Sequence, residues 1–409
     1  MSLKENQEKT ILPDFWPEKT IIDDSSTLEI NWLSEEQLNE TQYLVQKHLY
    51  YRSHAAVQIH AVYIKPAELP NGAVIPGLVM VHGGGHNYMQ IYPLGKYLAE
   101  SLGFGILLID SPGVNSPNYS STGVSESAAS CTNVSSENGP KDSFYYHNVV
   151  ALLRGVTLLQ SLPEINVSLV GIAGFSGGGI ASLIANGVES KYQRIAFAVS
   201  MGVAGDWSEE HEGKSPVEWY GLDWNTKKCT TFLNAYEPLI YASLAHAPTL
   251  MLDITNDRFF NLEQIQKTFS QLPDTKLKAL SVQIGFNHWF LGEAKFWVPV
   301  KIWCQLITSG KEPYSIPEIN HKKTDSGSIK ITCEQISDNR IDEIGILYNI
   351  DHGRSVEDWK VLKKIVQEGQ EIYSLTIDVS TATKYVFFPA VYSDELLLFT
   401  GEPLFFNQE

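Results

Sequence analysis

The first candidate for chemistry is Ser176, which has glycines on both sides in the segment G-F-S-G-G at residues 174–178. The apolar run 167–173 precedes this segment, and small residues typical of a helix start follow it. Between a strand and a helix, such glycines permit a sharp turn that lifts the serine hydroxyl off the sheet. The helix N-terminus then supplies N–H groups and positive potential that favour a developing oxyanion. Ser176 is therefore the candidate nucleophile, and the alternative is a tight turn with an incidental serine.

A second glycine-rich stretch, H-G-G-G-H at 82–86, follows the apolar run 77–81. Glycines directly after a strand let backbone N–H groups approach a reacting oxygen. We expect the N–H of Gly83 or Gly84 to form an oxyanion hole with the N–H of Gly177. A phosphate cradle is the alternative, but the Lys-Ser/Thr end of a P-loop is missing from this stretch. Two histidines are expected to shape the loop rather than to act as bases: His82 and His86.

A serine nucleophile needs a base and a carboxylate that orients it, in the chain order Ser, acid, His for this architecture. Asp257 closes the turn T-N-D after an apolar run, and His288 follows the next apolar run. Asp253 is the competing acid, but its place inside an apolar run predicts that it points into or across the sheet. Four other histidines follow Ser176 in the chain and rank below His288 as the base: His211, His246, His321 and His352. The first two precede Asp257, and the last two lie in the linker or the C-terminal module described below.

The elements that must position these residues alternate between apolar runs of strand length and helical patterns. This alternation predicts an α/β fold with an eight-stranded, mostly parallel sheet and helices on both faces. The eight predicted strands are 43–52, 56–65, 77–81, 105–110, 167–175, 195–201, 248–255 and 279–284. The first two alternate with polar residues and predict an antiparallel pair at the sheet edge.

Changes in pattern divide the chain into an N-terminal extension (1–41), a catalytic domain (42–310), a linker (311–325) and a C-terminal module (326–409). The catalytic domain carries a cap-like insertion at 202–246. The last segment shows short alternating strands and predicts a small all-β, sandwich-like domain. It contains no chemical motif, so we expect it to buttress the catalytic domain; carbohydrate binding and dimerisation are the alternatives.

The insertion is rich in aromatic residues, and ligand pockets are lined mainly by apolar and aromatic side chains. Together with His86, four of them are candidates for contacting an acyl or sugar group: Trp207, Trp219, Tyr220 and Trp224. The alternative is that they form the insertion's own small core.

Composition limits the classes of partner. The chain has 409 residues, with 30 Lys+Arg against 47 Asp+Glu and a formal net charge of −17. This balance argues against nucleic acid or an anionic membrane surface as a partner, because both require clustered positive charge. No run of about 18 apolar residues predicts a membrane span. The hydrophobic share of 43% excludes a disordered chain.

Cysteine spacing and the first residues bear on cofactors and compartment. Cys131, Cys229, Cys304 and Cys333 lie too far apart for a zinc site, so no metal or other cofactor is expected. Cys131 and Cys229 fall in polar segments and form either a bridge in an exported protein or two free thiols. Residues 1–10 lack a secretory signal, which favours the cytoplasm by default. The periplasm or secretion remains the alternative if these residues replace a natural leader.

These motifs resemble those of the α/β-hydrolase superfamily over about residues 42–310. The H-G-G-G loop, G-F-S-G-G, T-N-D and the late N-H are similar to acetyl xylan esterases, dienelactone-hydrolase-like proteins and catalytic domains of prolyl-oligopeptidase-like enzymes. The run N-D-R-F-F at 256–260, L-P at 272–273, the Trp359 region, Phe399-Thr400 and the β-rich tail resemble the PhoPQ-activated pathogenicity-related family.

The resemblance implies a metal-independent serine hydrolase that cleaves a small-molecule, saccharide or peptide ester through an acyl-enzyme. A peptidase or amidase is the first alternative. Because only about 40 residues precede the first predicted strand, no propeller fits, which lowers the oligopeptidase interpretation. A catalytically silent binding scaffold is the second alternative.

Overall fold

The computed structural model describes residues 11–37, 44–129, 139–208, 213–323, 328–334, 341–350, 358–366, 372–377, 384–393 and 396–407. Its strands are β1 (Asn31–Gln37), β2 (Leu44–Arg52), β3 (Gln58–Pro66), β4 (Ile75–Val81), β5 (Gly105–Ile109), β6 (Asn115–Ser116), β7 (Tyr119–Ser120), β8 (Ile165–Phe175), β9 (Phe197–Met201), β10 (Thr249–Asn256), β11 (Lys278–Phe286), β12 (Glu318–Lys323), β13 (Ile329–Glu334), β14 (Glu343–Ile350), β15 (Trp359–Ile365), β16 (Ile372–Ile377), β17 (Lys384–Ser393), β18 (Leu396–Thr400) and β19 (Leu404–Asn407).

Its helices are α1 (Lys19–Ile22), α2 (Tyr92–Leu102), α3 (Glu126–Ala129), α4 (Phe144–Ser161), α5 (Gly177–Tyr192), α6 (Pro216–Trp219), α7 (Lys227–Tyr236), α8 (Pro238–Ser243), α9 (Leu262–Gln271) and α10 (Trp297–Thr308). Short 3₁₀ turns occur at Ser25–Thr27, Tyr88–Gln90, Pro140–Asp142, Phe290–Gly292 and Ala294–Phe296. Among the described helices, none is long and apolar enough to cross a bilayer.

One large sheet organises the chain, in the order β1-β2-β3-β5-β4-β8-β9-β10-β11-β18-β17-β14-β15. Strands β5, β4, β8, β9, β10 and β11 are parallel, and β1, β2 and β3 add antiparallel strands at one side. All eight predicted strands are present, and the predicted α/β class is confirmed. The placement of β2 and β3 at the sheet edge was wrong, because β1 pairs outside β2. Its sequence, N-W-L-S-E-E-Q, is too polar to stand out as a strand.

Helices cover both faces of the parallel strands, as their near-continuous apolar runs predict. On one face, α4 and α5 pack against β8, with their aliphatic side chains fully buried. On the other face, α2 packs against β5 and α10 packs against α2 and β10. The carboxyl ends of β4, β8, β10 and β11 therefore open at one edge of the sheet, where the candidate residues follow.

The segment before β1 packs against α4, on one face of the large sheet. The ring of Trp16 stacks on Tyr146 of α4 at 5.7 Å and is almost fully buried. The buried guanidinium of Arg154, also on α4, donates to the carbonyl oxygens of Ile22 (2.7 Å) and Asp24 (3.0 Å). The predicted N-terminal extension thus contributes structure to the catalytic region.

The strands after residue 317 form two sheets. The smaller has the order β12-β13-β16, whereas β14, β15, β17, β18 and β19 belong to the large sheet. The junction is an antiparallel pairing of β11 with β18 at Leu280 and Thr400. The C-terminal part is therefore all-β, as predicted, but five of its strands continue the large sheet that contains the parallel strands. Strand β12 occupies part of the segment predicted as a linker.

Candidate active site

The turn between β8 and α5 holds Ser176 in an unusual backbone conformation. Its φ is +55° and its ψ is −118°, a region that non-glycine residues rarely adopt and that is costly unless the surroundings impose it. The Ser176 N–H donates to the carbonyl oxygen of Met201 at 2.8 Å. A Cβ on Gly178 would lie 2.4 Å from the carbonyl oxygen of Val81, so only glycine fits there. The chain thus presents Ser176 on a strained strand-to-helix turn, with a partly exposed side chain.

Asp257 and His288 are joined at the ends of the neighbouring strands β10 and β11. The Nδ1 of His288 lies 2.7 Å from Oδ2 of Asp257, and both side chains are fully buried. Oδ1 of Asp257 accepts the N–H groups of Phe259 (2.6 Å) and Phe260 (3.2 Å). Because the carboxylate accepts, Nδ1 of His288 donates and Nε2 is left as an acceptor. Nε2 is buried and makes no hydrogen bond with the described residues.

His288 lies beside the turn that holds Ser176. The ring of Phe175, the residue before Ser176, stacks on the His288 imidazole with centroids 5.2 Å apart. A Cβ on Gly202 would lie 3.0 Å from Cε1 of His288, so glycine at this position makes room for the ring. The structure therefore brings Ser176, Asp257 and His288 to the same edge of the sheet.

Asp253 occupies a different place from Asp257. It is fully buried within β10, and His288 pairs with Asp257 instead. Burial, together with the nearby charge of Asp257, holds the pKa of Asp253 well above its ordinary value. Asp253 therefore favours its neutral form and is poorly suited to stabilise an imidazolium.

The hydrogen bonds of the glycine-rich loop distinguish the two alternative oxyanion donors, Gly83 and Gly84. The Gly83 N–H donates to Oε1 of Gln90 at 2.7 Å and is thereby engaged. A Cβ on Gly177 would lie 3.1 Å from the nitrogen of Gly84, so these two backbone groups are neighbours. Of the predicted pair, Gly84 rather than Gly83 is the one suited to act with Gly177. Gln90 lies seven residues away from Gly83, and no motif in the sequence pointed to it.

His82 shapes the loop through both ring nitrogens. Its Nδ1 lies 2.7 Å from the carbonyl oxygen of Gly83, and its Nε2 accepts the N–H of Ser111 at 2.9 Å. Since Nε2 accepts, Nδ1 carries the proton and donates. Burial lowers the pKa of His82, which keeps the ring neutral in this arrangement.

The aromatic residues of the insertion are divided between core and surface. Trp207 is fully buried and stacks on Phe232 with centroids 5.7 Å apart, so it belongs to the insertion's core and not to a pocket wall. Tyr220 is half-buried, with its hydroxyl 3.5 Å from that of Tyr145. Trp224 is likewise half-buried. For Trp207 the structure thus corrects the prediction of substrate contact.

Trp219 packs on the turn that contains Asp257. Its ring contacts Phe259 with centroids 4.8 Å apart, and Phe259 in turn contacts His288 at 4.8 Å. Lys214, from the same insertion, donates to the backbone carbonyl of Asp257 at 2.8 Å. The insertion therefore packs against Asp257 and, through Phe259, against His288, which the sequence did not indicate.

A pocket of about 540 Å³ opens beside the glycine-rich loop. Its lining residues are Gly85, His86, Asn87, Met89, Gln90, Val114 and Asn115. His86 is exposed, and its ring contacts the ring of Trp289 edge-on with centroids 4.7 Å apart. Trp289 directly follows His288 in the chain. Of the predicted substrate contacts, His86 is the one that lines this pocket.

Two further predictions concern metal ions and the cysteines. Within the described ranges, no group of three or more His, Cys, Asp or Glu side chains is arranged to hold a metal ion. Cys229 is a buried thiol. Cys131 lies outside the described residues, so the two alternatives, a bridge to Cys229 and two free thiols, both stay predictions.

Comparisons with known proteins agree with this architecture. The profile of the acetyl xylan esterase (AXE1) family matches residues 3–201, just under half of the chain. No curated protein sequence matches the chain.

Solved structures extend the likeness beyond the profile match. The acetyl xylan esterase from Paenibacillus sp. R4 superposes with a TM-score of 0.52 at 18% identity, over 66% of this chain and 86% of that one. Acetyl Xylan Esterase 1 from Thermoanaerobacterium sp. JW/SL YS485 gives a TM-score of 0.50 at 18% identity, over 64% and 83%. The acylaminoacyl peptidase of Pyrococcus horikoshii gives 0.50 at 19% identity, over 69% of this chain but only 45% of the peptidase. At these identities the likeness establishes the fold, which is that of the α/β-hydrolases.

Proposed function

We propose that this protein is a serine hydrolase that cleaves carboxylic esters, with Ser176 as nucleophile, His288 as base and acid, and Asp257 as orienting carboxylate. One observation carries the proposal: the Asp257–His288 hydrogen bond fixes the tautomer that leaves Nε2 as an acceptor beside the strained Ser176 turn. This arrangement serves general-base activation of a serine.

The proposed reaction has two halves. In the first, Nε2 of His288 takes the proton from the Ser176 hydroxyl as Oγ attacks the ester carbonyl carbon. The N–H groups of Gly84 and Gly177 stabilise the tetrahedral oxyanion, and the imidazolium returns its proton to the departing alcohol oxygen. In the second half, His288 deprotonates a water that attacks the acyl-enzyme. The carboxylic acid leaves, and the proton returns to Ser176.

The partial match to the acetyl xylan esterase family supports an ester as substrate over an amide. The likeness to the Pyrococcus horikoshii peptidase keeps a peptidase or amidase as the second candidate, although this chain spans less than half of that protein. A silent binding scaffold does not require His288 Nε2 to be buried without a hydrogen-bond partner among the described residues, next to the strained turn of Ser176.

The test is intact mass after exposure to a fluorophosphonate, for the wild type, Ser176→Ala and Ser168→Ala. Ser168 is exposed on the same strand β8 and serves as the matched control. We expect one adduct on the wild type and on Ser168→Ala, and none on Ser176→Ala. Absence of an adduct on the wild type would refute the activated serine and favour the binding scaffold.

Hydrolysis of nitrophenyl acetate, butyrate and octanoate, measured beside an aminoacyl nitroanilide, then separates the two candidate enzymes. Faster turnover of the esters, lost in Ser176→Ala, is the expected result. A preference for the anilide would replace the esterase proposal with the amidase.

A further inference from the structure

A chain of polar side chains lies beside the glycine-rich loop and takes no part in the proposed reaction steps. The Tyr92 hydroxyl donates to Oε1 of Gln46 at 2.7 Å, and Nε2 of Gln46 lies 3.0 Å from Nε2 of His48. Nδ1 of His48 lies 3.0 Å from Nε2 of His60, and Nδ1 of His60 lies 2.7 Å from Oδ2 of Asp110. The four residues from Gln46 to Asp110 are buried, and His60 and Asp110 are completely so.

All bonds of this chain point the same way. The Gln46 amide nitrogen donates, so Nε2 of His48 accepts and its Nδ1 carries the proton. The same reasoning makes Nε2 of His60 an acceptor and Nδ1 of His60 the donor to Asp110. Two imidazoles, each donating from Nδ1 and accepting at Nε2, therefore connect the Tyr92 hydroxyl to the Asp110 carboxylate. Aligned bonds that end on a carboxylate strengthen one another, and the last is charge-assisted.

Both ends of the chain hold the same short segment. Besides His60, the Asp110 carboxylate accepts the N–H of Tyr88 through Oδ1 at 2.7 Å. The other end is Tyr92, four residues further on, so the chain spans the turn 88–92 from one end to the other. Between them lies Gln90, whose Oε1 accepts the Gly83 N–H. The turn therefore connects the buried chain to the loop that carries Gly84.

Packing leaves this chain little freedom to rearrange. The ring of Tyr119 stacks on His60 with centroids 4.3 Å apart and on His48 at 4.7 Å. The Ser121 hydroxyl accepts the backbone N–H of His60 at 3.0 Å. A fixed His60 keeps Asp110 in place, and Asp110 keeps the turn in place.

We propose that His60 and Asp110 are positioning residues that orient the oxyanion loop through Gln90. Electrostatic stabilisation of an oxyanion requires donors that are aimed before the reaction, so a displaced donor slows the chemical step without weakening substrate binding. The proposal rests on the esterase function proposed above, because it assigns Gly84 to that reaction.

The test is a double-mutant cycle between His60→Leu and Gln90→Leu, with kcat and KM measured on nitrophenyl acetate. Fluorophosphonate titration counts the competent sites in every preparation, so that kcat refers to folded enzyme. Removal of one oxyanion donor costs about 10²–10³ in kcat. A misdirected donor should therefore lower kcat by about 10–100-fold for either variant. For His60→Leu, which leaves the pocket lining unchanged, KM should stay within about twofold of the wild type. Because both variants act on one path, the double variant should lose little more than either single variant.

Two further variants separate positioning from general damage. His60→Asn places an amide donor close to the position of Nδ1, so kcat should recover to within about threefold of the wild type. His54→Gln changes a histidine that bonds to His147 and not to the glycine-rich loop, and kcat should not change. If His60→Leu does not fold, Tyr92→Phe removes the first bond of the chain and takes its place in the cycle.

Additive losses in the cycle, an unchanged kcat, or a loss explained by fewer titrated sites would each overturn the proposal. A wild type that no fluorophosphonate labels would instead refute the proposed function, so the two failures are distinguishable.

Discussion

Replacement of Asp257 by asparagine should abolish most of the activity while leaving the fold intact. The N–H groups of Phe259 and Phe260 both point at Oδ1, so the asparagine carbonyl oxygen must take that position. The amide NH₂ then faces Nδ1 of His288, 2.7 Å away in the wild type, and forces that nitrogen to become an acceptor. The imidazole proton moves to Nε2, which can no longer accept the Ser176 proton.

The wrong tautomer in a Ser-His-Asp triad lowers kcat by about 10⁴-fold. At 1.36 kcal/mol per factor of ten, this loss corresponds to about 5.5 kcal/mol of transition-state stabilisation. The assay is steady-state hydrolysis of nitrophenyl acetate, with kcat referred to protein that retains the wild-type thermal transition. KM should change little, because Asp257 is buried behind His288 and does not face the pocket.

Asp253→Asn is the matched control, four residues earlier on β10. It removes an equally buried carboxyl that His288 does not contact, so kcat should stay within about threefold of the wild type. Because the pKa of Asp253 is raised in the folded protein, the wild type loses stability as pH rises toward that pKa. The variant should therefore gain stability relative to the wild type as pH rises above about 4, the ordinary pKa of an aspartate in the unfolded chain. A large kcat loss in Asp253→Asn with a small one in Asp257→Asn would refute the assignment of the acid.

Three other perturbations test the scaffold. Arg154→Met removes charge-assisted bonds to two carbonyl oxygens of the N-terminal segment, and urea unfolding should show a loss of about 3 kcal/mol in the free energy of unfolding. A change below about 1 kcal/mol would contradict that anchoring role. Burial lowers the pKa of His54 and His147 to about 4, so below pH 6.5 the unfolded chain binds protons that the folded chain does not. Stability should fall as pH drops from about 6.5 toward 4, and thermal melts of His147→Gln should show a smaller decrease over this range. An equal decrease in both proteins would exclude His54 and His147 as its cause. Gly178→Ala places a Cβ 2.4 Å from the Val81 carbonyl oxygen, and soluble yield and fluorophosphonate labelling should both drop sharply, whereas wild-type labelling would disprove the close approach.

The central strands were predictable because their cause is local. Strands buried on both faces need continuous apolar runs, and the runs that precede G-F-S-G-G, T-N-D and the late N-H coincide with β8, β10 and β11. The polar β1 was not predictable in this way, because an outer strand has no continuous apolar run to reveal it. The pairing of β18 with β11 was equally hidden, since it joins segments more than a hundred residues apart.

For the candidate site, residue types and chain order were sufficient to select Ser176, Asp257 and His288, because the α/β-hydrolase topology fixes the order in which these elements reach one edge of the sheet. Tertiary contacts decided the rest. Gln90 occupies the Gly83 N–H, which favours Gly84 as the oxyanion donor, and Phe232 meets Trp207 inside the insertion, which removes that tryptophan from the pocket. A motif records spacing along the chain, whereas the engagement of an N–H or the burial of a ring depends on side chains that only the folded chain brings together.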